Sequence, residues 1–413
     1  MRNTRAKKDK ILWVIGGGQL QVPLIEEAKK LGLTTLVTDK NANCVAKEYA
    51  DHFYPVDIFD IDGSIKLLFR LRQDGMNIIG VLAAGIDANV TAAIVAKVAS
   101  LPGVDPQAAY LTHYKHAFRK FLRDHNLPSP QWAEVSTLGE LKESIKRIGV
   151  PFIIKNIDNS GSRGTKKFFS IPGDKELAAA LEDAMANSST KRALIEELLS
   201  GTEQTVETLY DVDGVFHPCF ITDREFDPRN EWAVEIGLRH PTVLSLAIQK
   251  RLYSVTKKTA DFLGITIGAA KVDMILTKKG PVIIEMTTRL SGGFDSQYLV
   301  PVTTGKNILR AAILTAIGKR FPKELLIDKK HRVGVTGSLW PKPGKIVSVK
   351  GIDEARKIPG VEYIFFRNEI GDTVLPYTDS AKRVCFIIAT GKDESDARDI
   401  LNRALKIISI ITR

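Results

Sequence analysis

The stretch KVDMILTKKGPVIIEMTTRLSGG, residues 271–293, holds two strand-like runs around a turn at Thr277-Lys278-Lys279-Gly280. Side chains on a strand alternate faces, so Lys271 and Asp273 share one face, and Glu285, Thr287 and Arg289 share one face of the partner run. Val272, Met274, Ile284 and Met286 form the opposite, apolar face. The turn brings Asp273 within one register step of Glu285, and side chains opposed in that way lie about 5 Å apart. Two carboxylates so close repel unless a cation stands between them. On an ordinary exposed sheet face, Lys271 or Arg289 would be that cation. In a nucleotide site it would be Mg²⁺, commonly held by one or two carboxylates and completed by phosphate oxygens.

Working upstream, VPFIIKNIDNSGSRGTKKFFSI (150–171) also has two strand-like runs, here flanking Asn159-Ser160-Gly161-Ser162-Arg163-Gly164. Lys155 closes the first run. Gly161 and Gly164 let the backbone approach a ligand closely, and successive N–H groups in such a loop form an anion-binding concavity. It is not a P-loop. A strand rather than a helix follows, and none of the Gly-Lys pairs beginning at 305, 318, 344 and 391 is followed by Ser or Thr. A GxSxG nucleophile turn is absent from the loop as well.

Residues 11–105 alternate strand and helix patterns: ILWVI, QVPLIEEAKKLG, TTLVTD, SIKLLFRLRQDG, IIGVLAA and ANVTAAIVAKVASL. This βαβαβ rhythm predicts a doubly wound parallel sheet with ligands at the carboxyl ends of its strands, where Gly16-Gly17-Gly18, Asp39 and Gly85 fall. The run GGGQLQ has Gln21 where a dinucleotide fingerprint wants Gly or Ala, although Asp39 lies where a ribose-binding acid would be. An NAD-dependent oxidoreductase is therefore an alternative reading. Residues 112–145 read as helix, the connection LPSPQW, and helix. From 150 to 290 the pattern is antiparallel, with a hairpin at 203–221 turning at Asp213-Gly214, and residues 242–263 form an amphipathic helix. The tail 330–413 reads as a small α+β unit.

A net charge of +11 points to an anionic partner, but the charge is spread along the chain and does not mark a nucleic-acid surface. Cys44, Cys219 and Cys385 lie far apart without CxxC spacing, which argues against disulfides or zinc and fits a reducing cytoplasm. The basic prefix of residues 1–8 leads to no signal sequence. The weakly charged stretch 78–96 contains Asp87 and Asn89 and reads as strand-loop-helix rather than a membrane span.

Taken in order, four segments resemble the ATP-grasp superfamily of carboxylate–amine ligases, in the branch of carbamoyl-phosphate synthase large subunits, phosphoribosylglycinamide synthetases and L-amino acid ligases. They are HYKHAFRKFL…LPSPQW, PFIIKNIDNSGSRG, LIEELLSGTEQTVETL, and KVDMILTKKGPVIIEMTTRLSGG. The resemblance implies a Rossmann-like pre-ATP-grasp domain over 1–110, a two-lobed ATP-grasp domain over 111–326 with its lid lobe at about 135–195, and a carboxy-terminal α+β domain over 327–413. It implies ATP and Mg²⁺, with Mn²⁺ able to replace it, and an ADP-forming reaction that activates a carboxylate as an acyl phosphate and joins it to an amine. A bicarbonate-activating carboxylase or a carbamoyl-phosphate-type enzyme is the neighbouring alternative.

Residue by residue, the resemblance assigns Lys115, Lys155, Ser160, Gly161, Ser162 and Gly164 to the phosphates. Glu196 or its neighbour Glu197 falls to adenine together with Leu199, and Glu203 to the ribose. The metal falls to Asp273, Glu285 and Thr287, and catalysis to Arg289 and Lys271. Thr287 stands where the family commonly has Asn, which leaves one or two metal ions open. The partners implied are a small carboxylic acid and an amine, with no nucleic acid or membrane, in a cytoplasmic homodimer. Gly85-Ile86-Asp87, the segment 222–242 and the loop after Arg289 are the candidates for choosing the substrates, with Arg224, Arg229 and Arg239 as candidates for a second anionic group.

Overall fold

The computed structural model describes residues 9–226 and 230–413; the basic prefix and Arg229 lie outside them. Strands β1 (Lys10–Ile15), β2 (Thr34–Thr38), β3 (His52–Tyr54) and β4 (Asn77–Ala83) form a parallel sheet in the order β3-β2-β1-β4. The unbroken apolar run of β1 is what a strand covered on both faces requires. Leu12 and Val14 enter one core, with the helices Val22–Lys30 and Ile308–Ala316, while Ile11, Trp13 and Ile15 enter a second core with the helix Ile61–Gln73. The sheet is therefore doubly wound, and one of its covering helices returns from much later in the chain.

A second sheet is built from β5 (Trp132–Val135), β6 (Phe152–Asn156), β7 (Lys166–Phe168) and β8 (Ala193–Glu197), antiparallel in the order β5-β8-β6-β7. The helices Leu138–Ile148 and Asp174–Ala186 cover it through Leu141, Ile145, Leu177 and Leu181. A capping box starts the first of these: the Thr137 hydroxyl accepts from Glu140 N at 3.2 Å, and the Glu140 carboxylate accepts from Thr137 N. Gly149, at φ +83°, ends it. The reading of 112–145 as helix, connection and helix misses β5, because only pairing with β8 fixes those four residues as a strand.

The third sheet is antiparallel and eight-stranded. It runs through β9 (Thr202–Tyr210), β10 (Phe216–Phe226), β11 (Glu235–His240), β12 (Gly268–Thr277) and β13 (Gly280–Thr287), and it continues into the carboxy-terminal segment. That segment holds β14 (Val333–Leu339), β15 (Gly344–Lys350), β16 (Val361–Phe366), β17 (Thr373–Val374), β18 (Cys385–Gly391) and β19 (Ser409–Thr412). The sheet order is β13-β12-β9-β10-β11-β14-β18-β16, while β15 pairs with β17 and β19. The carboxy-terminal α+β unit is thus joined edge to edge with the central sheet through Arg239 and Val335.

Register in the β12–β13 hairpin places Lys271 opposite Thr287, Val272 opposite Met286, and Asp273 opposite Glu285. Past Asp273 the register slips, so that Met274 faces Ile283. Ile284 is consequently not a core residue: Ile283 takes that place, fully buried, and Ile284 turns to the open side of the sheet. A bulge of this kind re-aims every side chain beyond it and leaves no mark in an alternating pattern.

Candidate functional site

Between the four-stranded lobe and the eight-stranded sheet lies a cavity of about 880 Å³, within the range usual for small-molecule sites. Its roof is the 159–164 loop, its back wall the 196–203 hinge, and its floor the β12–β13 hairpin.

At the roof, Gly161 and Ser162 both have left-handed backbone, at φ +68° and +64°. Nothing crowds Gly161; the nearest atom to a Cβ there would be Ser380 Cβ at 3.8 Å. Ser160 Oγ donates to Asp87, Ser162 Oγ donates to Ala233 O at 2.5 Å, and Ser380 N donates to Gly161 O at 2.9 Å. The loop is thereby fastened to the amino-terminal sheet, the central lobe and the carboxy-terminal unit. Lys115 Nζ holds its base, donating to Asn159 O at 2.6 Å and Asn156 Oδ1 at 3.1 Å. Burial pushes the Lys115 ammonium below its usual range. Gly164 is not part of the cradle: a Cβ there would lie 2.9 Å from Asp183 O and 3.0 Å from Ala184 Cα, so its missing side chain serves packing on the helix Asp174–Ala186.

At the hinge, the Glu196 carboxylate accepts from Arg119 Nε at 2.7 Å and from Lys155 Nζ at 2.8 Å. Burial works to raise the Glu196 pKa, but the two cations outweigh it and hold it at about 2. Its neighbour Glu197 accepts from Gln131 N at 3.0 Å, and both residues line the cavity together with Leu199 and Glu203. Glu203 is paired with Arg224, which also reaches Glu235 at 2.8 Å and Asp273 at 3.0 Å.

On the floor, the cation between the two carboxylates is Lys271. Its Nζ lies 2.5 Å from Asp273 Oδ2 and 4.0 Å from Glu285 Oε1. Burial opposes ionisation of Asp273, yet Arg224 and Lys271 hold its pKa well below the usual carboxylate range. Thr287 is buried and does not line the cavity. Among the described residues, no group of three or more His, Cys, Asp or Glu side chains is placed to hold a metal. Two hard carboxylate oxygens already bracketing one positive charge nevertheless fit a divalent ion that brings phosphate oxygens of its own.

Arg289 stands where three elements meet. The ends of β4 and β13 pair at Ala84 and Leu290, and Gly292 runs so close to Gly85 that a Cβ would lie 3.4 Å from Gly85 O. This approach brings Asp87 to Arg289, whose Nη2 donates to Asp87 Oδ1 at 2.9 Å while its buried Nε has no partner among the described residues. Burial raises the Asp87 carboxyl, but the guanidinium and the Ser160 hydroxyl overrule it and hold the pKa low.

Arg239 is drawn to Glu394 at 2.7 Å and stays out of the cavity. The triple glycine that follows β1 is likewise absorbed by packing. A Cβ on Gly17 would lie 2.3 Å from Cys44 Sγ, and Asp39 Oδ2 accepts from Gly17 N at 2.8 Å. All three cysteines are free and buried.

Among the residues at the cavity that no motif marks singly are Glu235, Asp295 and Arg383 on its wall, and Arg119, fully buried behind Glu196. Arg119 had a signal, since it lies one helical turn beyond Lys115 on the same face. The other three reach the cavity from separate elements and carry no local pattern.

A glycine loop, paired lysines, a buried hinge acid and a carboxylate hairpin around one cleft are the arrangement that the ATP-grasp resemblance leads one to expect. Comparison with known proteins agrees. Residues 148–297 match the ATP-grasp domain family, 10–112 the ribonucleotide synthetase preATP-grasp domain, and 338–413 the L-amino acid ligase C-terminal domain 2. The chain is similar to the formate-dependent phosphoribosylglycinamide formyltransferase of Saccharolobus solfataricus, at 23% identity over 97% of each sequence. Among solved structures, it superposes on an L-amino acid ligase from Bacillus licheniformis with a TM-score of 0.81 and 20% identity, covering 99% of this chain and 100% of the other. A phosphoribosylglycinamide synthetase from Anaerococcus prevotii gives 0.74 and 21%, covering 98% and 100%. The structural likenesses establish the fold. The chain thus carries an ATP-grasp domain over residues 148–297, and its homologues and structural neighbours are ATP-dependent ligases of the ATP-grasp superfamily, whose members use ATP with Mg²⁺. No helix among the described residues is long and apolar enough to cross a membrane.

Proposed function

We propose that this chain activates a small carboxylic acid with ATP and joins it to an amine, releasing ADP and phosphate. The observation that carries this reading is convergence: the glycine flap, Lys155, the facing Asp273 and Glu285, and Arg289, whose buried Nε has no partner among the described residues, all open onto one cavity. Lys115, Lys155 and the N–H groups around Gly161 face the triphosphate, with the Ser160 and Ser162 hydroxyls beside them. Glu196 or Glu197 and Leu199 flank the base, and Glu203 faces the ribose. Asp273 and Glu285 would hold Mg²⁺, which would neutralise phosphate charge, and Lys271 beside them would add its positive charge toward the transferred phosphoryl group. Thr287, set back from the wall, leaves two carboxylates for that role.

Arg289 orients the acid. One carboxylate oxygen attacks the γ-phosphorus, the bond to the β-phosphate bridging oxygen breaks, and ADP departs. The amine nitrogen then attacks the acyl carbon and displaces phosphate. Phosphoryl transfer of this kind depends on positioning and charge stabilisation, which these residues supply without a protein nucleophile. The test is a phosphate-release screen of carboxylic acids against amines with Mg·ATP. The expected result is ADP and phosphate in equal amounts with an amide, dependent on one acid class; a panel with no acid-dependent ADP overturns the reading.

A further inference from the structure

Among the described residues, buried carboxylates on the cavity wall are matched to cations with one exception. Glu196 faces Arg119 and Lys155, Glu235 faces Arg224, and Asp273 faces Lys271 and Arg224. Asp295 has only 2% of its surface exposed and makes no ion pair among the described residues. It opens the helical turn Asp295–Leu299 directly after the glycine loop, and a Cβ on Gly293 would lie 3.0 Å from its Oδ2. That carboxylate therefore abuts the backbone four residues beyond Arg289 and lines the same cavity.

We propose that Asp295 is the proton acceptor for the incoming amine in the second half of the reaction. The proposal rests on the ligase reading and extends it. An amine reaches the cavity as an ammonium ion and is no nucleophile until it loses a proton. It gives one proton to Asp295, the freed lone pair attacks the acyl carbon, and the carbon–oxygen bond to phosphate breaks. The departing phosphate takes the second N–H proton.

The surroundings suit an acceptor poised near neutrality. Glu235 on β11 and Glu207 on β9 face Asp295, Thr222 offers its hydroxyl from β10, and Lys271 on β12 is the nearby cation. Burial, reinforced by Glu235 and Glu207, pushes the Asp295 carboxyl up to about 7. Glu207 is itself occupied as an acceptor, from Ser291 N and Ser296 Oγ, each at 2.8 Å. A carboxylate that is half ionised near the working pH is an efficient general base.

Hydroxylamine separates the two halves, because it is uncharged at neutral pH and traps an acyl phosphate without a base. With the acid selected by the screen, amide and hydroxamate yields are compared in the wild type and in Asp295→Asn. The amide-to-hydroxamate ratio is expected to fall about 10²–10⁴-fold, and to recover partly in Asp295→Glu or at higher pH, where free amine is abundant. In the wild-type enzyme amide formation rises as pH passes through the neutral range while trapping does not. An unchanged ratio, or parallel pH profiles, overturns the role of Asp295. Absence of hydroxamate from the wild type with every acid instead removes the ligase reading beneath it.

Discussion

Replacing Glu196 by glutamine removes the carboxylate that pairs with both Arg119 and Lys155 at the hinge. Glu196 and Arg119 are each about 1% exposed, so solvent screens neither. The two cations lower the Glu196 pKa from 4.5 to about 2 against the opposing effect of burial. Each tenfold change in proton affinity is worth about 1.4 kcal/mol, so this pairing contributes roughly 3 kcal/mol of stability. That agrees with the cost of about 3–5 kcal/mol for leaving one partner of a buried pair uncompensated. The sign follows from the lowered value: the contribution is complete above the unfolded value of 4.5 and is lost as pH falls toward 2. Urea midpoints of wild type and Glu196→Gln measure it, with Trp132, paired directly opposite Glu196, as the fluorescent reporter. The two proteins should differ by about 3 kcal/mol near neutral pH and converge as pH falls from about 4.5 toward 2, while other carboxylates such as Asp273 cancel in the difference. A gap that stays constant across that range, or no gap at neutral pH, refutes the pairing argument.

Arg289→Ala should cost about 10²–10³-fold in acid-dependent ADP formation and leave nucleotide binding largely intact, as read by calorimetry with ADP. Gly161→Ala makes only an ordinary contact with Ser380 Cβ at 3.8 Å but forces an L-residue into left-handed backbone at φ +68°. A strain of about 1–2 kcal/mol in the flap should raise the KM for ATP about 5- to 30-fold; an unchanged KM would show that the flap tolerates a side chain. Gly164→Val should instead lower thermal stability, because its Cβ meets helix backbone at 2.9 Å; a Tm within a degree of wild type would contradict that packing. Chelation of Mg²⁺ should abolish ADP release and Mn²⁺ should restore it.

Much of the fold was legible because its cues are local. The apolar run of β1, the alternation around Thr277–Gly280 and the Asp213-Gly214 turn each specify an element within a dozen residues. The paired carboxylates of the floor were legible too, since alternation alone puts Asp273 and Glu285 on neighbouring strands. What escaped depends on distant chain. The bulge after Asp273 exchanges Ile284 for Ile283 in the core, and four residues become β5 only by pairing with β8. Gly164 reads as a phosphate glycine until the helix behind it is in place. Asp87 and Arg289 are 202 positions apart, and Glu235, Asp295 and Arg383 enter one cavity from three elements. No window of sequence joins them.

Binding of Mn²⁺ in the presence and absence of ADP, followed through the electron paramagnetic resonance of the free ion, bears most directly on the shared grip of Asp273 and Glu285. Wild-type protein should take up Mn²⁺ tightly only with ADP, and Asp273→Asn and Glu285→Gln should each weaken that uptake by at least about tenfold. Equal uptake by all three proteins, or uptake indifferent to the nucleotide, would contradict a metal site completed by phosphate oxygens on this hairpin.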